Sequence, residues 1–150
     1  MMSIKERLQE DWKQAMKARD KFKAETLSTA RSAILFVEKT DGVKLEDEQV
    51  IEILAREVKQ RKEASLEFEK GNRQDLVDKS NAEIEILLGY LPQQLSEQEI
   101  IDIIQQAAVE MGANSIKDMG KVMSIVRPKT VGRADGKLVS TLVKEHLSNK

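Results

Sequence analysis

The chain has no cysteine, a single histidine, two prolines and five aromatic residues among 150. Without cysteine there can be no disulfide, no thiolate metal ligand and no thiol nucleophile. The aromatics are Trp12, Phe22, Phe36, Phe68 and Tyr90, and their scarcity beside abundant Glu, Lys, Gln, Leu and Ile favours helices over strands. No apolar run is long enough for a transmembrane helix, so no membrane partner is expected. The opening MMSIKERLQEDW reaches charge at Lys5 with no apolar h-region, unlike a secretory signal peptide. Together these absences predict a cytoplasmic protein. No P-loop, dinucleotide fingerprint or nucleophile elbow occurs either, so no cofactor is expected.

What the chain does contain is helical punctuation. With 40% apolar residues it can close helical cores. Ser3 and Glu6 form a capping box ahead of Ile4, Leu8, Trp12 and Ala15, predicting a helix over about 3–18. Phe22, Leu27, Ala30, Ile34 and Val37 mark a second helix that stops before Thr40-Asp41-Gly42. Val50 to Phe68 predicts a long third helix, and Leu76 to Leu88 a fourth. Long helices joined by short loops become antiparallel neighbours, so residues 1–91 should form a bundle of about four helices.

Gly89-Tyr90-Leu91-Pro92 is the natural joint, because glycine ends a helix and proline disfavours helical geometry before it. Ser96 and Glu99 then cap a fifth helix carrying Ile100, Ile104, Ala107, Ala108 and Met111. Ser115 with Asp118 is expected to cap a sixth helix, which Pro128 should stop. Asp135 should cap a seventh, with Leu138, Val139, Leu142 and Val143 facing inward. The expected fold is all-α: the N-terminal bundle over 1–91 and a small three-helix tail domain over 92–150.

Charge is polarised along the chain. Residues 112–150 carry eight Lys and Arg against three Asp and Glu, net +5, whereas residues 1–111 carry seventeen against twenty-three, net −6. The richest stretch runs from Gly120 to Lys137 and holds Lys121, Arg127, Lys129, Arg133 and Lys137 with the single acid Asp135. A cationic loop between the sixth and seventh helices, held open by Gly132 and Gly136, suits phosphates. A solubilising connector in which Asp135 neutralises Arg133 accounts for the same residues.

Catalytic and metal constellations are poorer. His146 projects beside Val139 and Val143, where it packs or complements a helix C-terminus rather than acting as a base. Ser140 and Lys144 are four apart but on an outward face. Glu46, Asp47, Glu48 and Glu52 read as the start of a helix favouring its own dipole, so no metal site is expected. Trp12 reads as core beside Leu8 and Met16, while Tyr90 can either pack at the joint or remain exposed. No aromatic follows Tyr90, so the basic tail has no platform for stacking unpaired bases, leaving recognition by shape and backbone.

Tyr90-Leu91-Pro92-Gln93-Gln94-Leu95-Ser96, Gly120-Lys121-Val122-Met123, Pro128-Lys129 and Gly132-Arg133-Ala134-Asp135-Gly136-Lys137 resemble the YqeY-like family, as does the Thr29-Ala30-Arg31 region. That family is related to the tail of the B subunit of tRNA-dependent aspartyl/glutamyl amidotransferase, and a similar module is appended to some glutaminyl-tRNA synthetases. The resemblance implies a noncatalytic accessory protein that binds tRNA, with an aminoacyl-tRNA synthetase or amidotransferase as possible partner. Lys121, Lys129, Arg133 and Lys137 are the matching candidate contacts, with Arg127 an additional local charge; Ser124 and Val131 stand where the family often has glycine and lysine. A helical protein–protein adaptor is the alternative, and a carbon–nitrogen ligase with glutamine as amide donor a third. The residues assemble no evident amidase, so enzymatic activity by the chain alone is not expected.

Overall fold

A computed structural model describes residues 2–149, and among them every regular element is helical. The fold is all-α, as composition and periodicity predict. The elements are α1 (Ile4–Lys17), α2 (Lys21–Asp41), α3 (Asp47–Lys70), α4 (Gln74–Leu88), α5 (Glu97–Met111), a 3-10 turn (Ile116–Asp118), α6 (Met119–Thr130) and α7 (Gly136–Ser148). They divide into two compact units between Leu91 and Pro92.

In the first unit, α1 packs on α2 and α3 on α4, each pair joined by a short turn. Arg19 and Asn72 occupy those turns with positive φ, 58° and 56°. Asp20 then caps α2 by accepting from the Lys23 N–H at 3.2 Å. Leu8, Leu27, Ala30, Ile34, Val50, Leu54, Leu87 and Tyr90 share one buried core. Trp12 packs against it only half-buried, and Met16, expected inside, is 56% exposed.

In the second unit, α5, α6 and α7 enclose Ile100, Ile104, Ala108, Val122, Val126, Val139, Val143 and Leu147. Ser96 caps α5 through the reciprocal box that the sequence shows, and Gly112 closes it at φ 61°. Three local expectations fail. The Ser115–Asp118 cap opens only a 3-10 turn, because Asp118 instead turns back to accept from the Asn114 N–H at 3.1 Å. Leu138, expected inside, stays 39% exposed on the first turn of α7. Pro128 lies inside α6 rather than ending it. Proline removes only its own N–H. The turn around it survives because the Val131 N–H donates to the Arg127 carbonyl at 3.0 Å and Thr130 Oγ1 to the Val126 carbonyl at 3.0 Å, while Val126 and Thr130 are buried.

Candidate nucleic-acid interface

Because α6 continues through Pro128, Arg127 and Lys129 are not loop residues but form its last turn. There the C-terminal end of the helix dipole favours cations. Both are exposed and neither makes an ion pair with a described residue. Two positions apart on a helix, they point about 160° from one another, on either side of the buried Val122–Val126–Thr130 face. Lys121 is also exposed, roughly 12 Å up the α6 axis from Lys129, and lies 4.0 Å from Asp118.

Arg133 has a different setting. It is half-buried in the turn between α6 and α7, where Nε donates to the Gln93 carbonyl at 3.1 Å and Nη1 to the Lys129 carbonyl at 3.5 Å. The Leu95 N–H donates to the Arg133 carbonyl at 2.8 Å, and Gln94 Nε2 to the Gly132 carbonyl at 2.8 Å. Gly132 makes this crossing possible at φ 74°, a conformation that costs glycine little. Gly136, expected to open the loop, is instead the first residue of α7. The Gln93–Leu95 and Gly132–Arg133 stretches, forty residues apart, are thus one hydrogen-bonded structure whose function is at least architectural.

Lys137 is exposed in the first turn of α7, and its own N–H donates to Asp135 Oδ1 at 3.2 Å. That turn contains no acidic side chain. A lysine is electrostatically disfavoured at this end of a helix. Arg127 and Lys129 therefore lie in the last turn of α6, Arg133 in the connecting turn and Lys137 in the first turn of α7, with Lys121 further up α6. The unit as a whole is less basic than its tail suggests, since Glu97, Glu99, Asp102 and Glu110 of α5 bring it to eight Lys and Arg against seven Asp and Glu, net +1. The Ser96 N–H and hydroxyl hold the Glu99 carboxyl below its ordinary range, so it remains ionised, with Arg133 adding a small further pull.

Sequence reasoning missed the polar contacts of the first unit. Tyr90 is buried there, its hydroxyl donating to Asp11 Oδ2 while the Arg7 guanidinium lies 5.0 Å from its ring centre. Burial, then the bond to Asp11, pushes its pKa above the usual phenol range. Arg31 stacks 4.7 Å over the Trp12 ring. Only the Thr29-Ala30-Arg31 match drew attention to that position, and nothing in the spacing names its aromatic partner.

An all-helical chain with this turn between α6 and α7 has a definite kinship. It belongs to the Yqey-like protein family, whose family model matches residues 5–147. It is similar to Altered inheritance of mitochondria protein 41, mitochondrial, of Pyrenophora tritici-repentis, at 29% identity over 149 residues, 96% of this chain and 81% of that one. The protein of the same name from Lachancea thermotolerans is 36% identical over 87 residues, 57% of this chain and 46% of that one. An uncharacterized protein of Schizosaccharomyces pombe is 34% identical over 82 residues, 55% of this chain and 67% of that one. Two of the three are named as mitochondrial, which overturns the cytoplasmic expectation. That expectation rested on missing cysteine and a missing secretory h-region, and neither property distinguishes among the compartments where thiols stay reduced. No helix among the described residues is long and apolar enough to cross a membrane.

Proposed function

We propose that the second unit binds tRNA through the cations around the α6–α7 turn, and that the protein is a noncatalytic accessory to aminoacylation or tRNA-dependent amidation. The observation that carries this reading is Lys137, an exposed cation at a helix N-terminus, where it opposes the dipole and its ammonium makes no ion pair with a described residue. A phosphate beside that turn would pair with the Lys137 ammonium, while Asp135 keeps the Lys137 N–H. Exposed Arg127 and Lys129 supply further phosphate contacts, and the resemblance to the tail of the amidotransferase B subunit favours tRNA as the source of those phosphates. Arg133 contributes mainly by holding the turn in shape.

The test is Arg127→Gln with Lys129→Gln and Lys137→Gln, which removes charge without placing acids at the end of α6. Filter binding to bulk tRNA at moderate salt should fall at least tenfold, with helical content unchanged. Retention of full affinity would turn the cluster into a solubilising surface. A helical adaptor is the second reading, favoured by one observation: Phe36 on α2 is 71% exposed beside Leu35 at 46%. Phe36→Ser should leave tRNA binding intact while removing a copurifying protein if that reading is correct.

A further inference from the structure

Between the N-terminal half of α1, the C-terminal half of α2 and the segment leading into α3 lies a half-open cavity of about 420 Å³. That volume falls within the range of small-molecule sites. Its apolar lining is Leu8, Ile34, Leu35 and Leu45, and its polar lining holds as many cations as carboxylates.

The carboxylates are already committed within the fold. Glu38 accepts from Lys5 Nζ and from the Leu45 N–H at 2.8 Å, which keeps it ionised and neutralises Lys5. Glu46 belongs to the capping box of α3, and Glu6 accepts from Ser3 Oγ at 3.1 Å. Two other cations that line the cavity take no such role in a hydrogen bond or ion pair with a described residue. Lys44 makes no ion pair with a described residue, although its charge helps to keep Glu38 ionised. Arg31 is half-buried, and its guanidinium rests on Trp12 with neither a carboxylate nor a hydrogen-bond acceptor among the described residues. Five donors on a partly desolvated guanidinium are a fork for an oxyanion, and stacking on an indole fixes the fork in advance.

We propose that this cavity is a binding site for a small amphipathic anion, a carboxylate or phosphate head held by Arg31 and Lys44 with a short aliphatic body over Leu8, Ile34, Leu35 and Leu45. The aliphatic part gains by leaving water, and the head pairs with two cations that make no ion pair with a described residue. The site lies wholly in the first unit and does not depend on tRNA binding by the second.

Trp12 is the chain's one tryptophan, so its emission reports on the guanidinium above it. The full chain should be titrated with octanoate and with hexyl phosphate, using 1-octanol and octyltrimethylammonium as neutral and cationic controls. A saturable emission change with either anion and not with the controls is expected, and the stronger anion identifies the head group. Arg31→Gln should weaken binding about tenfold when affinity is read from NMR shift titrations, which do not rely on Trp12. Should that variant unfold, exposed Lys44→Gln provides the same test with a several-fold loss. Lys70→Gln, at the far end of α3, should change nothing. Absence of saturation with both anions at about 10 mM, an equal response to 1-octanol, or unaltered affinity in the folded Arg31 or Lys44 variant would overturn the proposal.

Discussion

Arg133 and Lys137 stand four residues apart and carry the same formal charge, yet their surroundings assign them opposite energetic roles. Arg133 holds two backbone carbonyls, so Arg133→Ala should cost about 1–2 kcal/mol in urea unfolding of the full chain. Arg133→Lys should not recover it, because an ammonium cannot reproduce the fork. Lys137→Gln should do the reverse, stabilising by about 0.3–1 kcal/mol through relief of the α7 dipole while tRNA affinity falls. If Lys137→Gln destabilises the protein, the lysine is structural and the functional argument built on it fails. Glu38 gives a pH-dependent counterpart. Its hydrogen bond from Lys5, helped by the Leu45 N–H, holds its pKa below 4.5. Stability from that pair is therefore present above about pH 4.5 and is lost as pH falls through the lower, folded-state value. Glu38→Gln should lower unfolding free energy at pH 7 and have a smaller effect at pH 3.

At the scale of elements, most helix boundaries were legible because caps are local chemistry. Asp20, the cap of α2, reads in the sequence only as a break in the pattern, but Ser3, Ser96 and Gly112 each announce an end within three or four residues, and the structure uses all three as caps. Pro128 misled for the same reason. The local rule says stop, whereas burial of Val126 and Thr130, the first of them in the core shared with α5 and α7, decides that the last turn forms. The ring should still cost something, since it removes the bond to the Ser124 carbonyl. Pro128→Ala should raise stability by about 1 kcal/mol, seen as a higher urea midpoint with an unchanged slope. The basic cluster was legible as a list of cations but not as a geometry. That Arg127 and Lys129 diverge around α6, and that Arg133 reaches back forty residues to Gln93, follows only once α6 is known to extend past the proline. Arg31 on Trp12 and Tyr90 on Asp11 were illegible because they join positions 19 and 79 residues apart.

For the whole molecule, the two units have separate cores, each with several fully buried aliphatic side chains. A fragment covering 92–150 should unfold cooperatively by itself, and a non-cooperative profile would show that its core needs the first unit. The charge asymmetry of the chain is a property of helices rather than of units, since acidic α5 belongs to the same unit as the basic turn. Binding by that turn should therefore be short-ranged and sensitive to ions. The most direct measurement is the salt dependence of tRNA affinity for the parent chain and for the variant Arg127→Gln, Lys129→Gln and Lys137→Gln. With three or four phosphate contacts from Lys121, Arg127, Lys129 and Lys137, the parent should show a log–log slope of roughly −2 to −3.5, falling to near −1 in the variant. Equal slopes for the two proteins, or a parent that does not bind tRNA at low salt, would contradict an α6–α7 phosphate site.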